Sequence, residues 1–339
     1  MDQVKQDLKS GLGGTDAAAI VGKNPWRSPI QAWSRLMGDD PGDESSPEMK
    51  WGTIHEPAIL NEFNKVWSDR TQGKECVVTG IKKIVHPEHP FLIGHLDGLT
   101  IKTNGDDIPE NTSELLTMAT SVVEAKTAKG FMRVKFGDPW SDEVPEQYLL
   151  QAQHYMGLTG LPVTYMPVLI EGYDFNIYVI KRNDELISDL WSIMVDWWNQ
   201  YVVTRMPPPV DGSDASKKLL NRLHPTANLD NVIATTDSRI IMAAKELHEA
   251  KVQEKELKMA KQEAENIMKD AMGDAWRLEG PGFRVTWKND KPKEKVDWER
   301  VATAVFASAN IPSEQFDYLV KKHTEVKPGT RRFLFKYED

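Results

Sequence analysis

Apolar residues follow two different spacings along the chain up to about residue 210. Spacings of three and four residues predict amphipathic helices, and apolar residues at every second position predict strands. The predicted helices cover residues 53–67, 145–158 and 183–201, and the predicted strands cover 91–101 (as a strand pair or strand-turn), 121–127, Val163–Ile170 and 173–181. The last two strands form a predicted hairpin around Glu171 and Gly172. In the helix at 183–201, the positions expected to face inward are Leu186, Leu190, Ile193 and Trp197. This mixture favours an α/β fold with a partly antiparallel sheet.

The pattern changes after Met206. The prolines at 207–209 and the polar stretch 211–216 indicate a boundary. A long helix is predicted from about 236 to 272, capped by Asp237 and ended by Gly273. After it, residues 282–288 and 331–336 are predicted strands, and 298–309 is a predicted helix. We therefore predict a first domain at 1–210, a linker at 211–235, the long helix at 236–273 and a small α+β module at 274–339.

The composition is that of an ordinary globular protein, with 40% hydrophobic and 27% charged residues in 339. The first ten residues contain no apolar signal segment, and no stretch approaches the ~20 apolar residues that span a bilayer. The single cysteine, Cys76, excludes an intramolecular disulfide and a cysteine-based metal site. We expect a cytoplasmic protein without a membrane partner.

The net charge of −9 argues at first against a nucleic-acid partner. Phosphate binding, however, depends on a local basic groove rather than on the charge of the whole chain. The charge therefore leaves the function open.

Glu56 is the first carboxylate in an unusual position. On a 3.6-residue period it shares the apolar face of its predicted helix with Leu60, Phe63 and Trp67. An unpaired buried carboxylate is costly, so Glu56 should pair with a cation or bind a metal. A buried ion pair, or an acid in the first turn of the helix, explains the position equally well.

Glu124 and Lys126 are the second unusual feature. They lie two apart on the strand predicted at 121–127, so both side chains project from one face, and Val123 and Ala125 project from the other. The E-x-K motif is very short, and such a pair is most often an exposed edge pair.

Asp97 and Gln151 complete the set of unusual polar residues. Asp97 lies in a largely apolar segment before Gly98, which is also a common position for a turn aspartate. Gln151 shares one stripe of its helix with Tyr148 and Tyr155, where a buried amide needs partners. Nearby backbone would satisfy that amide without any function.

Together these residues have the order of a PD-(D/E)XK nuclease core: an acid on a helix, an acid in a strand-turn, E-x-K on the next strand, then a helix bearing Gln and Tyr. Residues 103–120 are then interpreted as an inserted loop between the strands. Phosphodiester hydrolysis needs an activated water and neutralised phosphate charge, and Mg²⁺ usually takes one or two carboxylates plus waters. The expected metal ligands are Asp97, Glu124 and the backbone carbonyl of Ala125, with Glu56 holding a second ion or its waters. Lys126 would orient or activate the attacking water and stabilise developing charge.

The ordered motifs resemble the YqaJ-like viral recombinase family, which is related to the PD-(D/E)XK nuclease of bacteriophage lambda. The resemblance extends from about residue 9 to residue 200. Its landmarks are LGGTDAAAIVG at 12–22, NPW at 24–26, WGTIHEP at 51–57, GHLDG at 94–98, VEAK at 123–126 and QYLLQAQHY at 147–155. It implies a restriction-endonuclease-like core, with a central mixed β-sheet flanked by helices. It also implies that Glu56, Asp97, Glu124, Lys126 and Gln151 form the catalytic set.

The same resemblance implies a 5′→3′ exonuclease that acts on the ends of linear double-stranded DNA. It would use Mg²⁺, with Mn²⁺ as a substitute and two ions per site, and leave 3′ single strands for a phage annealing protein. Relatives form trimeric rings around DNA, so the resemblance also implies a homotrimer, encoded by a phage or prophage.

Residues that contact DNA are also implied by the resemblance. Thr15 matches a position that helps to bind the 5′-phosphate. The basic candidates beside it are Lys9, Lys23 and Arg27, between which the motif does not choose. A basic cluster formed by Lys126, Lys129, Arg133 and Lys135 would line the DNA channel, and Tyr148 joins the DNA-binding set. Solvated surface charge is the alternative for the basic residues.

Other functions remain open or are disfavoured. A PD-(D/E)XK endonuclease or structure-specific nuclease, and a non-catalytic DNA-binding protein on the same fold, are the alternatives. An iron–sulfur nuclease of the Cas4 type is disfavoured because only Cys76 is available, and no G-x-S-x-G motif supports a serine nucleophile. The spacing of the histidines at 55, 86, 89, 95 and 154 does not form a metal-binding helix motif.

Overall fold

The structure is a computed structural model of the 339-residue chain. It describes residues 11–39, 47–103, 108–109, 111–289, 297–308 and 313–323. The chain divides into two compact units, Met1–Pro225 and Thr226–Asp339. Each unit is described by itself.

Six strands form a mixed central sheet in the first unit. They are β1 (Glu75–Val78), β4 (Gly98–Lys102), β5 (Ala119–Val123), β6 (Lys126–Ala128), β7 (Val163–Ile170) and β8 (Asp174–Lys181), and a separate antiparallel pair consists of β2 (Ile84–Val85) and β3 (Ile93–Gly94). Strand β4 pairs antiparallel with β1 and β5. Strand β7 pairs parallel with β5 and β6 and antiparallel with β8.

Helices pack against both faces of this sheet. They are α1 (Gly14–Ile20), α2 (Pro29–Met37), α3 (Pro47–Thr71), α4 (Thr112–Met118), α5 (Glu146–Thr159), α6 (Asp184–Trp197) and α7 (Asp214–Leu223). Successive residues of a strand point to opposite faces. Accordingly, Val122 lies in the apolar cluster that includes Met156 of α5, and Val123 lies in the cluster that includes Phe63 of α3. The predicted fold class, a central mixed β-sheet flanked by helices, is confirmed.

The hairpin predicted around Glu171 and Gly172 is present, formed by β7 and β8. Glu171 and Gly172 both have positive φ, 53° and 80°. Positive φ at both central residues is typical of the tight two-residue turns that match the twist of paired strands. The hairpin places β7 beside the strand that carries Glu124 and Lys126.

Two of the predicted elements differ from the structure within the sheet region. Residues 103–120 are not all loop, because α4 occupies Thr112–Met118. The Asn111 side chain accepts a hydrogen bond from Ser113 N–H and caps α4, and Leu115 is buried in the core. Residues 104–107 and 110 lie outside the described residues.

The inward face of α6 also differs from the prediction. Leu190 and Trp197 are buried as expected, but the other buried positions are Ile187 and Met194. Ile193 is exposed, and Leu186 is only partly buried. Both sets of positions follow helical spacing, so the sequence pattern alone did not determine which of the two faces the core.

The boundary predicted near residue 210 lies inside the first unit. The polar stretch at 211–216, interpreted as part of a linker, instead starts α7, and Ser213 caps this helix by accepting from Ser216 N–H. Leu219 is fully buried, and α7 packs against α2. The polar residues at 213 and 216 are therefore helix-capping residues rather than linker.

The second unit contains a long helix, α8 (Ser238–Met272), with Asp237 as its N-cap and Gly273 after its last turn. An antiparallel pair follows, β9 (Arg277–Gly280) and β10 (Phe283–Thr286), and then α9 (Trp298–Ser308) and α10 (Ser313–Lys322). Strand β9 and helix α10 were not predicted. The strand predicted at 331–336 lies outside the described residues.

A membrane span was not expected, and among the helices of the described residues none combines the length and the apolar character that crossing a bilayer requires.

Candidate active site

Glu124 and Lys126 lie at a break in the strand predicted at 121–127. Strand β5 ends at Val123 and β6 begins at Lys126, yet both keep the same register against β7, with Val123 opposite Tyr165 and Lys126 opposite Val168. The backbone N–H of Glu124 still donates to the carbonyl of Tyr165 at 3.0 Å. The break therefore leaves Glu124 and Lys126 on one side of the sheet.

The Glu124 carboxylate is buried, with a residue exposure of 2%. Its Oε1 accepts from Lys126 Nζ at 2.5 Å and from Gln151 Nε2 at 2.6 Å. Its Oε2 is also buried and has no hydrogen-bond partner among the described residues. A buried carboxylate oxygen without a partner is costly, so this atom marks a position where a cation or a donor is needed.

Asp97 lies immediately before β4 and next to this break. Its Oδ2 accepts from the backbone N–H of Ala125 at 2.9 Å, so the aspartate is held against the peptide between Glu124 and Lys126. The simple turn role considered for Asp97 does not describe this contact, which joins residues 28 positions apart. Asp97 and Glu124 are therefore neighbours although the sequence separates them.

Glu56 is partly buried on α3 and faces the same carboxylates. The helix begins at Pro47, not at residue 53, so Glu56 lies well inside it. The expectation that Glu56 belongs to the first helical turn is wrong, and the charge of the helix N-terminus does not explain its position. Its charged neighbours are instead Asp97 and Lys126.

Gln151 reaches Glu124 because α1 and α5 approach each other closely. A Cβ atom on Gly14 would lie 2.7 Å from Cγ of Gln151 and 3.0 Å from the ring of Tyr155. Glycine at this position thus permits the contact between the two helices. The amide Nε2 of Gln151 also lies 3.3 Å from the hydroxyl of Tyr155, so side chains and not nearby backbone satisfy it.

These residues open into one cavity of about 400 Å³. Of the predicted site residues, those that line it are Thr15, Glu56, Asp97, Glu124, Ala125, Lys126, Tyr148 and Gln151. The Lys126 ammonium lies 5.4 Å from the centre of the Tyr148 ring, close enough for a cation–π interaction. Five separate sequence motifs therefore meet around one open space.

The remaining predicted DNA contacts lie apart from this cavity. Lys23 pairs with Glu146 at 3.1 Å, Arg27 with buried Asp16 at 3.1 Å, and Lys129 with Glu48 at 2.9 Å. Arg133 pairs with Asp174. Lys9 lies outside the described residues. None of the described four lines the cavity that holds Glu124.

Charge in the site is strongly perturbed by burial. Burial, together with the nearby Asp97 carboxylate, raises the pKa of Glu124 to about 8 despite the opposing charge of Lys126. Burial also raises the pKa of Asp97 and of Glu56. Burial alone disfavours the Lys126 ammonium, but Glu124 and Asp97 outweigh it, so the pKa of Lys126 is raised. Lys126 therefore stays positively charged, and the carboxylates resist ionisation unless a cation joins them.

The donors around the break fit a hard divalent cation. Asp97 and Glu124 offer carboxylate oxygens, one of which is buried and unpartnered, and such oxygens are the ligands that Mg²⁺ prefers. Within the described ranges, no three His, Cys, Asp or Glu side chains converge closely enough to form a complete metal cluster. A site with one or two carboxylates, completed by waters and substrate, is the usual arrangement for Mg²⁺.

Several cavity residues were not predicted as site residues. They are Asn24, Trp26, Glu48, Met49, Gly52, Ile59, Thr127 and Gln147. The Asn24 side chain accepts from the N–H groups of Trp26 and Arg27 and donates to the carbonyl of Thr15. The Asn-Pro-Trp sequence at 24–26 was noted only as a landmark, and its turn-forming asparagine beside an exposed tryptophan was the available signal.

Asp16 is a further residue that the sequence did not single out. It is buried and accepts from Arg27, from Arg35 and from the backbone N–H of Gly13. These contacts fix the start of α1, and hence the place of Thr15 at the cavity wall. Asp16 is adjacent to Thr15 in sequence but points into the protein, which apolar periodicity did not predict.

Comparison with known proteins gives a family match and distant structural relatives. Residues 5–162 match the family model of the YqaJ-like viral recombinase domain. The YqaJ protein of Bacillus subtilis (strain 168) is 27% identical over 291 residues, which cover 83% of this chain and 81% of that protein. The match leaves 17% of this chain uncovered, which is less than the length of the second unit, Thr226–Asp339. The similarity to the Bacillus protein therefore includes part of the second unit.

Two exonuclease structures also match. An alkaline exonuclease from Laribacter hongkongensis is 16% identical, covers 60% of this chain and 94% of its own, and has a TM-score of 0.43. A phage-related exonuclease from Haemophilus somnus 129PT is 13% identical, covers 57% and 96%, and has a TM-score of 0.37. The resemblance found in the sequence motifs is confirmed by the family model, because residues 5–162 are similar to the YqaJ-like viral recombinase domain.

Proposed function

We propose that this protein is a Mg²⁺-dependent exonuclease that degrades linear double-stranded DNA from its 5′ ends. The match of residues 5–162 to the YqaJ-like viral recombinase domain supports a nuclease that acts on DNA. The observation that carries the proposal is the buried Glu124 carboxylate, bonded through one oxygen to Lys126 and Gln151 and unpartnered at the other, in an open cavity beside Asp97.

The ligands of the metal in this proposal are Asp97, Glu124 and the backbone carbonyl of Ala125. Glu56, on the opposite helix, holds a second ion or the waters around it. When bound, Mg²⁺ supplies positive charge that polarises the phosphate and lowers the pKa of a coordinated water. Mn²⁺ has similar preferences for oxygen ligands and is expected to substitute.

The protein side chains have separate tasks. Lys126 remains an ammonium, since the carboxylates raise its pKa, so it orients water and stabilises charge on the phosphate rather than removing a proton. Gln151 holds Oε1 of Glu124 and thereby directs Oε2 of the same carboxylate toward the metal. The backbone N–H of Ala125 fixes Asp97 in the same way.

Recognition of a 5′ end is assigned to the part of the cavity around Thr15. The Thr15 side chain is exposed at the wall, and Thr15 and Trp26 both line the space that also contains Lys126. The Thr15 hydroxyl can donate to a terminal phosphate. Of the basic candidates, Arg27 is the one bonded to Asp16, which is adjacent to Thr15.

The biological setting follows from the family as a proposal. A 5′→3′ exonuclease leaves 3′ single strands, which a phage annealing protein would take up for recombination. A homotrimeric ring around DNA and a cytoplasmic location in the bacterial host of a phage or prophage belong to the same proposal.

The proposal is tested with linear duplexes that carry either a 5′-phosphate or a 5′-hydroxyl, each labelled on one strand, in Mg²⁺, Mn²⁺ or EDTA. We expect mononucleotides from the 5′ end in either metal, faster degradation with a 5′-phosphate, and no degradation in EDTA. Thr15→Val should abolish the preference for the 5′-phosphate, and Thr53→Val, an exposed threonine on α3, should retain it.

Closed circular duplex is the matched substrate without ends. Cleavage of circles at a rate similar to linear DNA would favour the alternative, an endonuclease or structure-specific nuclease on the same site. DNA binding without metal-dependent cleavage of any substrate would favour a non-catalytic DNA-binding protein.

A further inference from the structure

A second cavity, of about 300 Å³, lies beside the one that contains Glu124. Its lining residues include Trp51, His55, Thr127 and Lys129. Glu48 and Thr127 line both cavities, so the two are adjacent and share a wall. No metal ligand of the proposed active site belongs to the second cavity.

Helix α3 faces the two cavities with two adjacent rows of side chains. Residues 48, 52 and 56, spaced four apart, line the first cavity, and residues 47, 51 and 55 line the second. At Gly52, in the first row, an added Cβ would lie 3.7 Å from Oγ1 of Thr127, so α3 passes close to β6 there. Strand β6 borders both cavities, since Lys126 lines the first and Ala128 the second.

The wall of the second cavity is an aromatic surface open to solvent. The indole of Trp51 is stacked on the imidazole of His55, with ring centres 5.4 Å apart and planes 26° apart. Trp51 is 55% exposed, so part of its indole remains open to solvent. Flat aromatic faces of this kind stack nucleobases whatever their sequence.

We propose that the cavity formed by Trp51, His55, Thr127 and Lys129 binds the unpaired strand that the exonuclease leaves uncut. Trp51 and His55 stack a nucleobase of that strand, and Lys129 exchanges its contact with Glu48, now 2.9 Å, for a backbone phosphate. This inference rests on the proposed function for its source of single strands.

The wall shared with the first cavity is the reason for choosing DNA over a protein partner. Three residues of extended chain separate Lys126 from Lys129, which is about 10 Å at ~3.3 Å per residue. Nucleotides of one strand rise about 3.4 Å each in duplex geometry. Lys129 therefore lies within about three nucleotide lengths of Lys126, which is close enough for the complementary strand of the same DNA end to reach the second cavity.

Duplexes that are blunt, or that carry a six-nucleotide 3′ overhang, test the proposal by fluorescence anisotropy in EDTA, which prevents cleavage. We expect the wild type to bind the overhang duplex more tightly, and Trp51→Ala to lose roughly tenfold or more on that substrate. Affinity for the blunt duplex should be unchanged in Trp51→Ala. Trp51→Phe, which retains a flat ring, should recover most of the loss.

Two controls separate stacking from other effects. Trp276→Ala removes a tryptophan of similar exposure, 57%, in the second unit and should bind both duplexes as the wild type does. An overhang of abasic nucleotides keeps the phosphates but not the bases, so it should bind the wild type as weakly as the normal overhang binds Trp51→Ala.

The proposal is overturned if Trp51→Ala binds both duplexes like the wild type, or if its loss is the same with an abasic overhang. It is also overturned if Trp51→Ala loses the same affinity for the blunt duplex as for the overhang duplex. A Trp51→Ala protein that changes its oligomeric state in sedimentation but keeps its affinity for the overhang duplex overturns it as well. These measurements need no cleavage. Absence of metal-dependent degradation by the wild type would therefore refute the proposed function separately.

Discussion

The side-chain amide of Gln151 donates from Nε2 to Oε1 of Glu124 at 2.6 Å, and the same oxygen accepts from Lys126 Nζ. Two donors on one oxygen leave the other, Oε2, as the buried atom without a partner. Gln151 thus determines which oxygen of Glu124 faces the open cavity. Its role is positional, since it acts through Glu124.

We predict that Gln151→Leu lowers kcat by about ten- to a hundredfold and weakens Mg²⁺ binding by a similar factor, because contacts that orient metal ligands have effects of that size. The measurement is the rate of nucleotide release as a function of Mg²⁺ concentration. A matched control is Gln153→Leu, on the same helix and also buried, whose amide bonds to the backbone at Lys181 and Asn183. Gln153→Leu should lower the Tm but not the Mg²⁺ affinity, and equal affinities in all three proteins would refute the positional role.

Gly14 provides a prediction from packing. Gly14→Ala places a Cβ 2.7 Å from Gln151 Cγ, so α1 and α5 must separate, with an expected cost of about 1–3 kcal/mol in the free energy of unfolding. Activity should fall with it because Gln151 moves. Gly13→Ala is the control, since its Cβ would meet nothing closer than 3.9 Å. Denaturant unfolding and nucleotide release measure the two effects, and an unaffected Gly14→Ala would contradict the packing argument.

The pKa of Glu124 predicts how metal binding depends on pH. In the metal-free protein that pKa is raised to about 8, so near pH 7 the carboxyl is largely protonated and must lose its proton to bind Mg²⁺. We therefore expect Mg²⁺ binding at pH 7 to release a proton and to tighten as pH rises toward 8. Calorimetric titrations in buffers of different ionisation enthalpy measure the release. Glu124→Gln should release fewer protons than the wild type, and pH-independent binding by the wild type would contradict the prediction.

His154 gives a prediction about stability. Its Nδ1 accepts from Trp191 Nε1 at 3.1 Å, so its Nε2 carries the proton and donates to the carbonyl of Ile93 at 2.9 Å. Burial lowers the pKa of His154 to about 4 from the ordinary value of 6.5. A folded-state pKa below the unfolded one stabilises the protein above pH 6.5, and this contribution is lost as pH falls toward 4.

The expected loss from His154 between pH 6.5 and pH 4 is about 3 kcal/mol in the free energy of unfolding. Urea unfolding across this range measures it, with His154→Gln for comparison. The variant should be less stable at pH 7 but should depend less steeply on pH. A variant whose pH dependence matches that of the wild type would show that another group is responsible.

Much of the fold could be predicted because its signals are local. The β7–β8 hairpin follows from alternation on both sides of Glu171 and Gly172, and the start of α8 from the capping Asp237. The face of α6 was not determined by such signals, because Ile193 and Met194 fit helical spacing equally well and tertiary packing selected Met194. Helix α4 depends on Asn111 and a single buried leucine, which is too weak a pattern to predict.

In the candidate site, too, the local relationships could be predicted and the long-range contacts could not. Residues two apart in extended chain point to the same face, as predicted for Glu124 and Lys126, and Lys126 Nζ lies 2.5 Å from Glu124 Oε1. The contact of Asp97 with Ala125 N–H could not be predicted, since it depends on how β4 pairs with β5. The sequence also could not show which basic residues line the cavity of Glu124. Lys23 and Lys129 instead pair with Glu146 and Glu48, which become their neighbours only in the folded protein.

The most direct test of the central claim is the rate at which wild type and Glu124→Gln release nucleotides from linear duplex DNA in Mg²⁺. Glu146→Gln, an exposed acid on α5, is the control. We predict that Glu124→Gln is slower than wild type by roughly a hundredfold or more at unchanged folding, and that Glu146→Gln retains wild-type activity. Equal rates for Glu124→Gln and wild type would contradict the assignment of Glu124, Asp97 and Lys126 as the catalytic centre.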